Sequence, residues 1–443
     1  MTPRPVAIIG AGYAGLACAV ELARRQVPVS VFERSHSLGG RARGVFKDGW
    51  QVDNGQHILL GAYAELTRLM RLVGVTPRAL RTLPLTLEIP EVLSLRAAGL
   101  PAPWHLAWGL LRAKGLTWRD RKAAMAFLDR LKKCRFRLER DTTVAHLLIQ
   151  HSQTPFLRQR IWEPLCVAAL NTPAEDASAQ VFVNVLRDSL AADARASDML
   201  LPRVDLSELF PVPATRYLGS RRGVVNTATP ITALDASDEG FLLKGDASEQ
   251  RYQQVVLATA PYHATALLAS TGRCERLVAL IDGLDYEPIV TIYLAYPADV
   301  GLTGPLVGLP DGPGQWGFDR ARITGLPADH NLLSVVISAR GPHEEWDRET
   351  LIVAIHAQLE RLLHRRLPAP EWSQVITEKR ATFACRPGLQ RPTHRTPVPG
   401  LWLAGDYVES EYPATLESAV RSGITCAQAV LTRLGQAGAL STG

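Results

Sequence analysis

A glycine-rich turn near the start of the chain constrains the fold more than any other feature. Residues 6–9 form a short continuous apolar run, which is typical of a strand buried on both faces of a parallel sheet. The sequence Gly-Ala-Gly-Tyr-Ala-Gly follows at 10–15, and an Ala- and Leu-rich stretch predicts a helix to about Arg25. A second predicted strand, 29–32, ends at Glu33. This strand, turn, helix and strand predict a dinucleotide-binding unit.

Each part of this unit has a role in holding a dinucleotide. Gly10 makes the tight turn, Gly12 lets the backbone approach a pyrophosphate, and Gly15 allows close packing of helix and sheet. The free N–H groups and positive dipole of the helix N-terminus favour the phosphates. Glu33 lies 18 residues after Gly15, as expected for an acid that accepts hydrogen bonds from ribose hydroxyls. The residues expected around the phosphates are Gly10, Gly12, Tyr13, Ala14 and Gly15.

A second stretch with the same glycine spacing, 312–317, serves as an internal control. Pro310 and Pro313 precede and interrupt it, and no convincing helix begins after it. We interpret it as a loop or hairpin tip. The chain therefore has one predicted dinucleotide fold and no obvious second domain for NAD(P)H.

The loop after Glu33 distinguishes FAD from NAD. Residues 33–42 read Glu-Arg-Ser-His-Ser-Leu-Gly-Gly-Arg-Ala, and such a loop could wrap the far side of a pyrophosphate. This segment resembles the flavin-containing amine oxidase and phytoene desaturase superfamily. The resemblance implies FAD as the cofactor, with Arg34, Gly40 and Arg41 among its binding residues.

The end of the chain carries a second FAD signal. A predicted strand at 400–404 ends at Gly405 and Asp406, and residues 412–419 open a predicted helix that runs to about Leu434. In the superfamily the acid contacts the ribityl or phosphate region, and the helix N-terminus points at flavin N1. A positive helix end suits the negative charge of reduced flavin there. The residues implied at this end are Gly405, Asp406, Ala414, Thr415 and Leu416.

The order of the remaining motifs supports an interleaved two-domain chain. The resemblance places Ile231 against the adenine, and Ala258 follows the next predicted strand. We expect an α/β fold in which a Rossmann-type FAD-binding domain alternates with a substrate domain of mixed sheet and helices. The expected FAD-binding segments are 1–80, 205–270 and 385–443, and the expected substrate-binding segments are 81–204 and 271–384. Residues from about 65 to 205 read as mostly helical, and strands are predicted at 289–294 and 332–337.

Three further stretches narrow the resemblance to the hydroxysqualene dehydroxylase family of hopanoid biosynthesis, also called squalene-associated FAD-dependent desaturases. They are residues 53–63 (Asp-Asn-Gly-Gln-His-Ile-Leu-Leu-Gly-Ala-Tyr), 171–173 and 412–423. The resemblance implies that FADH2 gives a hydride to the carbon bearing the hydroxyl of hydroxysqualene, which yields squalene. It also places Asn54, Gly55, Gln56 and His57 beside the flavin.

Hydroxide is a poor leaving group, so this chemistry needs a proton donor and an apolar tunnel for the lipid. His57 is one candidate, since imidazole titrates near neutral pH, although it could instead only hydrogen-bond the flavin or the backbone. Glu163 is the other, because an apolar tunnel would raise its pKa. Glu163 could equally be a surface or helix-capping residue beside Pro164. The residues leave the choice open.

Composition limits the partners. A net charge of +6 over 443 residues does not predict nucleic-acid binding, and no apolar run is long enough to span a bilayer. No signal peptide is recognised at 1–22, so we expect a cytoplasmic protein. Residues 100–119 join Trp and Leu to basic residues, which fits peripheral contact with the anionic inner face of the cytoplasmic membrane or an amphipathic core helix. No disulfide framework or metal site is predicted from the six cysteines.

Other functions remain open at this point. Within the superfamily, the alternatives are a carotenoid-type FAD desaturase or isomerase and an amine oxidase. The amine oxidase interpretation is weak, because Lys379 reads as a strand residue and not as a flavin-side lysine. From another class, a non-catalytic prenyl-lipid-binding protein would share the architecture. The residues do not identify the electron donor.

Overall fold

A computed structural model of the protein describes residues 5–191, 193–245, 250–325 and 329–440. Its strands in chain order are β1 (Val6–Ile9), β2 (Val29–Phe32), β3 (Gly44–Lys47), β4 (Trp50–Asp53), β5 (Leu59–Leu60), β6 (Leu80–Leu83), β7 (Thr86–Ile89), β8 (Leu93–Arg96), β9 (Met199–Pro202), β10 (Val224–Asn226), β11 (Ala233–Ser237), β12 (Gly240–Lys244), β13 (Arg251–Tyr252), β14 (Val255–Leu257), β15 (Tyr286–Pro297), β16 (Leu306–Gly308), β17 (Trp316–Asp319), β18 (His330–Ser338), β19 (Trp372–Phe383) and β20 (Leu401–Leu403). Its α-helices are α1 (Tyr13–Arg24), α2 (Ala64–Leu72), α3 (Trp104–Arg112), α4 (Trp118–Lys133), α5 (Val144–Gln150), α6 (Pro155–Leu157), α7 (Glu163–Leu170), α8 (Ala179–Leu186), α9 (Leu206–Leu209), α10 (Pro211–Gly219), α11 (Pro261–Ala269), α12 (Glu275–Asp282), α13 (Arg320–Thr324), α14 (Arg348–Leu363) and α15 (Leu416–Leu440).

The dinucleotide unit is built on a five-stranded parallel sheet. Its strand order is β10-β2-β1-β14-β20, so the sheet gathers strands from the beginning, middle and end of the chain. The predicted strands at 6–9 and 29–32 are confirmed with the bounds expected. All four residues of β1 are buried, as expected for a strand covered on both faces. The α/β fold class is thus confirmed.

Helices α1 and α15 pack against each other beside this sheet. Their contact is close because Gly423 faces α1: a Cβ at Gly423 would lie 2.1 Å from the carbonyl oxygen of Ala14. The C-terminal helix is therefore fixed directly on the helix that begins the dinucleotide motif. The exact domain boundaries stay a prediction, and residues 1–4 and 441–443 of the expected FAD-binding segments lie outside the described part of the chain.

A second, antiparallel sheet has the order β16-β17-β18-β15-β19. The strands predicted at 289–294 and 332–337 lie within β15 and β18. The rejected glycine motif at 312–317 covers the turn between the antiparallel pair β16 and β17, which confirms the hairpin interpretation. Lys379 lies in β19, so its assignment to a strand is also confirmed.

The region from about 65 to 205 contains the expected helices α2 to α8, but four strands, β6 to β9, interrupt it. The expectation of a mostly helical region missed the hairpin of β7 and β8. Leu87 and Ile89 on β7, and Leu93 and Leu95 on β8, alternate with more exposed residues. This period of two is the strand pattern. Among the described helices, none has the length and apolar character needed to cross a bilayer.

The C-terminal helix also begins later than expected. It starts at Leu416, four residues after Tyr412, and extends past Leu434 to Leu440. The hydroxyl of Thr415 accepts a hydrogen bond from the N–H of Ser418 at 3.1 Å, which caps the helix at this point. The motif residues Pro413 and Ala414 therefore form an approach to the helix instead of its first turn.

Candidate active site

The first glycine turn and the second glycine pair lie directly against each other, since the N–H of Gly39 donates to the carbonyl of Ala11 at 2.9 Å and Gly12 forms a parallel bridge with Gly39. Gly10 has a φ of +111°, and a Cβ there would lie 2.6 Å from the carbonyl oxygen of Ala258, so the turn excludes larger residues. By contrast, a Cβ at Gly12 would meet nothing closer than 3.9 Å, where the backbone of Gly39 and Gly40 begins. The surface where these glycines meet is therefore backbone without side chains. It has the character of a pyrophosphate cradle.

Glu33 lies at the end of β2 and is buried. One carboxylate oxygen accepts a hydrogen bond from the N–H of Ala11 at 2.8 Å, and the other accepts from the N–H of Ser35 at 2.9 Å. These bonds fix the carboxylate beside the glycine turn and leave lone pairs for a ribose diol. The neighbouring Arg34 is exposed and lies 3.3 Å from the ring of His263, away from this carboxylate's partners.

Tyr13 differs from its expected role. Its side chain is buried, donates a hydrogen bond to the carbonyl of Leu206 at 2.8 Å and packs on the ring of Phe210 at 5.4 Å. The Tyr13 side chain thus anchors α1 to α9 and α10, and only its backbone remains at the helix N-terminus for a phosphate. The sequence pattern predicts that Tyr13 begins the helix, but it does not predict the direction of the Tyr13 side chain.

Arg41 joins the two ends of the predicted FAD site. Its guanidinium donates to the Asp406 carboxylate at 2.6 Å and to the carbonyl of Ala381 at 2.6 Å. Burial works to lower the pKa of Arg41, but the charge of Asp406 raises it above its ordinary value. The loop after β2 and the end of β20 are therefore held together by a partly buried ion pair.

Residues 54–57 bridge this loop and the antiparallel sheet. The amide nitrogen of Asn54 donates to the carbonyl of Arg41 at 3.0 Å and to the Glu378 carboxylate at 3.3 Å. The side-chain oxygen of Gln56 accepts from the hydroxyl of Ser334 at 3.2 Å. The structure thus brings together the glycine loop, the 54–57 segment and β18 and β19.

His57 is held by the backbone of its own segment. Its Nδ1 lies 2.8 Å from the carbonyl oxygen of Gly55, so Nδ1 carries the proton and donates it to that oxygen. Burial and the positive charge of Arg41 lower the pKa of His57, against the opposing effect of the Gly55 hydrogen bond. His57 is therefore neutral near pH 7, with an unprotonated Nε2 that can accept a hydrogen bond.

The N-terminus of α15 is tied to α2 through Glu417. The Glu417 carboxylate accepts hydrogen bonds from the N–H groups of Glu65 at 3.1 Å and Leu66 at 2.9 Å, at the start of α2. It also accepts from Arg421 at 2.7 Å. This acid of the 412–423 motif therefore positions the helix, whereas Thr415 and Leu416 form its capped start.

Several buried polar atoms near these segments have no hydrogen-bond partner within the described residues. They include the hydroxyls of Thr259, Thr291 and Ser418. Thr259 follows the Ala258 turn, Ser418 lies in the first turn of α15, and the Thr291 hydroxyl would lie 3.9 Å from a Cβ on Gly55. Buried hydroxyls normally find a partner. The orphaned atoms and the backbone cradle between the glycines fit a bound FAD.

The remaining predicted cofactor residues take simpler positions. Ile231 lies between β10 and β11 and packs, partly buried, on the hydrophobic core. The N–H of Ala258 donates to the carbonyl of Ile9 at 2.8 Å, which places Ala258 next to the glycine turn. The N–H of Gly405 donates to the hydroxyl of Ser422 at 2.9 Å, so the end of β20 is fixed to α15.

Glu163 lies apart from this set, in the first turn of α7. Burial raises the pKa of its carboxyl group, and the negative charge of Glu175 adds to the effect. The nearby Cys166 thiol is also raised in pKa by burial. The charged groups that affect Glu163 belong to the helical region, and the structure records no contact between Glu163 and residues 54–57.

Asp53 was missed by the sequence analysis, which began its list of flavin-side residues at Asn54. Burial raises the pKa of Asp53 to about 7, while a hydrogen bond from the N–H of Leu206 at 2.8 Å opposes the shift. Alternation in β4 would place Asp53 on the same face as the exposed Gln51, so the strand pattern gave no signal of its burial. Asp53 lies at a small cavity of about 10 Å³ whose lining residues are Gln51, Val52, Asp53, Gln56, Asp205, Tyr293, Arg320, Leu332 and Ser334. This cavity is not the expected apolar tunnel, which stays a prediction.

The chain matches one family model and is similar to several known proteins. The family model described as flavin containing amine oxidoreductase matches residues 13–431. Hydroxysqualene dehydroxylases of Zymomonas mobilis and Rhodopseudomonas palustris are 28% and 30% identical, cover 96% and 97% of this chain, and are each covered over 98% of their own length. A 15-cis-phytoene desaturase of Glycine max is 24% identical over 97% of this chain and 80% of its own. The solved structure of an oxidoreductase from Methanosarcina mazei superposes with a TM-score of 0.76 at 14% identity, covering 96% of this chain and 100% of that one.

Proposed function

The chain belongs to the flavin containing amine oxidoreductase family and is an FAD-dependent oxidoreductase, and from this premise we propose that it converts hydroxysqualene to squalene. The full-length likeness to the two dehydroxylases carries the proposal. That likeness covers 96% and 97% of this chain. Identity to the phytoene desaturase is lower, so the desaturase reaction is the second candidate.

The proposed reaction replaces the hydroxyl group by hydrogen and releases water. Reduced FAD, when bound, supplies the hydride, and the chain supplies its binding residues and a route for the proton. The hydroxyl leaves as water only when protonated, because hydroxide is a poor leaving group. Gly12, Glu33 and Arg41 are the residues that would hold the dinucleotide, and residues 54–57 would face the substrate.

His57 fits the role of orienting the substrate hydroxyl better than that of donating its proton. Its Nδ1 proton is committed to the carbonyl of Gly55, and its lowered pKa keeps Nε2 unprotonated near neutral pH. An unprotonated Nε2 accepts a hydrogen bond from a hydroxyl group. We propose that His57 holds the hydroxyl through Nε2, and that His57→Phe raises KM for the alcohol while FAD remains bound.

Glu163, the second proton donor predicted from the sequence, is the proposed acid. It lies in the first turn of α7, apart from residues 54–57, so the proposal requires the substrate to reach from His57 to α7, where burial raises the pKa of the Glu163 carboxyl group. A carboxyl group with a raised pKa retains its proton closer to neutral pH, which is what an acid catalyst needs. Glu163→Gln is expected to lower the single-turnover rate and to remove the alkaline limb of the pH profile that Glu163 controls. Glu175→Gln is the comparison variant, because it keeps the proposed acid but removes a charge that raises its pKa; the alkaline limb should remain and move to lower pH. A pH profile unchanged in Glu163→Gln would assign the proton to another group.

The location of the protein follows from the proposed substrate. A C30 alcohol partitions into bilayers, so we propose a cytoplasmic protein that works at the inner face of the cytoplasmic membrane. The chain has no second predicted dinucleotide fold for NAD(P)H, but NAD(P)H could still reduce the flavin transiently, so the electron donor stays unidentified.

Anaerobic single turnover tests the function. The purified holoprotein is photoreduced, mixed with hydroxysqualene, and followed by flavin absorbance near about 450 nm and by product analysis. We expect one squalene for each flavin reoxidised. Reduced flavin that persists without squalene would refute the dehydroxylase proposal. Desaturated product from the oxidised protein would favour the second candidate, and purified protein without flavin absorbance would favour a lipid carrier.

A further inference from the structure

The most apolar exposed surface of the described chain lies on α3 and α4. Trp104, Trp108 and Leu111 are spaced at i, i+4 and i+7 on α3, with exposures of 67%, 46% and 40%. On α4, Trp118 and Met125 are spaced at i and i+7, with exposures of 66% and 47%. We call these five side chains the tryptophan face. Exposed aromatic clusters of this kind mark interaction surfaces.

The opposite sides of both helices are already used for packing. His105, Leu106, Gly109 and Leu110 of α3 are buried, and a Cβ on Gly109 would lie 2.7 Å from the carbonyl oxygen of Arg96 on β8. Helix α3 is therefore seated closely on β8, and its tryptophans cannot turn inwards. Of the two interpretations of residues 100–119, the structure favours a surface helix over a core helix.

Helix α4 is fixed in the same way. Its buried residues include Ala124, Phe127 and Leu131. Asp120 caps the helix through the N–H of Thr117 at 2.9 Å and also accepts from the hydroxyl of Thr154 at 2.6 Å. This capping sets the rotation of α4, so that Trp118 and Met125 point outwards.

Positive charge surrounds the tryptophan face. Residues 100–140 contain eleven Lys and Arg and three Asp and Glu, a net charge of +8, whereas the whole chain carries +6. The guanidinium of Arg112 lies 5.7 Å from the ring of Trp108, and that of Arg121 lies 5.3 Å from the ring of Trp118. Aromatic residues with a basic rim match the boundary between headgroups and acyl chains of an anionic bilayer. The same charge opposes the pairing of two copies of this chain through α3 and α4.

We propose that the tryptophan face docks the protein on an anionic lipid bilayer, with Trp104, Trp108 and Trp118 inserted at the headgroup level. The proposal rests on the proposed function, because a lipid substrate gives the enzyme a reason to bind a bilayer. The exposed rings and the basic rim support the location of the docking surface. The partner is the bilayer itself, recognised through its negative headgroups and apolar interior.

Vesicle binding tests the apolar part of the surface. Holoprotein is sedimented at low salt with vesicles of phosphatidylcholine alone or mixed equally with phosphatidylglycerol. The variant W104S/W108S/W118S is expected to lose affinity for the mixed vesicles by about tenfold or more. Phe46→Ser is the matched control, since this side chain is 72% exposed on β3, and it is expected to bind as wild type. A triple variant that binds as tightly as wild type would overturn the proposal.

A charge variant keeps the proposal testable if the triple variant misfolds. R119E/K122E reverses two exposed positions on α4 and is expected to weaken binding to mixed vesicles about tenfold or more. Lys47→Glu, at an exposed position of β3, is its control. Quenching of tryptophan fluorescence by brominated lipid gives a second readout, which wild type should show and the charge variant should largely lose. Equal binding of wild type to both vesicle types would contradict the charge argument.

Parallel turnover assays separate this proposal from the proposed function. The triple variant is expected to convert hydroxysqualene dispersed in detergent at the wild-type rate, but to convert vesicle-borne hydroxysqualene more slowly. Wild type that binds vesicles but converts neither form would refute the function and leave the docking surface standing. If wild type is a dimer, the triple variant is a monomer and neither protein binds vesicles, the tryptophan face would be assigned to contact between two copies of the chain.

Discussion

Changing Asp53 to Asn is expected to flatten the dependence of stability on pH. The Asp53 carboxyl is buried at the end of β4, where desolvation raises its pKa from 3.8 to about 7. Because the native state holds this proton more tightly than the unfolded chain, the native state is most favoured below the unfolded pKa. As pH rises from about 4 to about 7, the unfolded chain releases the proton first, and the free energy of unfolding falls.

The size of the effect follows from the shift. A difference of about three pKa units corresponds to about 4 kcal/mol once both states are titrated. Between about pH 5 and pH 8, wild type should therefore lose about 2.5 kcal/mol that an Asn at this position does not lose. The side-chain oxygen of Asn can still accept from the N–H of Leu206, so the start of α9 keeps its partner.

Urea unfolding of the holoprotein at both pH values measures this difference. The comparison uses wild type, Asp53→Asn and Asp235→Asn, a control at an exposed position of β11. The control is expected to follow wild type, and Asp53→Asn is expected to gain relative stability at the higher pH. An Asp53→Asn protein that loses as much stability as wild type would refute a buried, protonated Asp53.

Further substitutions test the site. Gly12→Ala should leave the fold intact but weaken FAD binding, because its Cβ would lie no closer than 3.9 Å to the protein but would narrow the space for the pyrophosphate. Gly15→Ala should destabilise the protein by about 2 kcal/mol or more, because its Cβ would lie 2.0 Å from the carbonyl oxygen of Gly10. Flavin retention measures the first effect and urea unfolding measures the second. Arg41→Met leaves the buried Asp406 carboxylate unpaired and should cost about 2 kcal/mol in unfolding, part of which Asp406→Asn restores in the double variant. Glu417→Gln should lower the thermal midpoint by weakening the cap on α2, at a cost of about 1 kcal/mol.

The parallel sheet could be predicted because its strands carry a local signal. Val6–Ile9 is a continuous apolar run followed by a glycine, and Val29–Phe32 is apolar except for Ser30; the structure gives both strands the predicted bounds. The hairpin of β7 and β8 was missed because Pro90 and Glu91 lie between two four-residue runs, each too short to outweigh the surrounding helical pattern. Short strands depend on their partner more than on their own composition.

The site was predictable only as far as backbone motifs determine it. Glycine spacing predicted the turn at 10–15 and the second pair at 39–40, and the structure places the backbone of one against the backbone of the other. The burial of Asp53 and the turn of Tyr13 towards Leu206 depend on α9, a segment more than 150 residues away in sequence. Neither could be read from a local pattern, because tertiary contacts alone decide which side of β4 and α1 is covered.

The strand order of the parallel sheet has a consequence for synthesis. Strand β14 pairs with β1 on one side and with β20 on the other, so the ribosome makes this edge partner almost 400 residues after the first strand. At about 5–20 residues per second, the first strand waits roughly 20–80 s for the sheet to be completed. Asp406 arrives at the same late stage, so Arg41 stays without its charge partner in the nascent chain. The holoenzyme is thus assembled only after translation is nearly finished, and any truncation before β20 yields a chain without a complete flavin site.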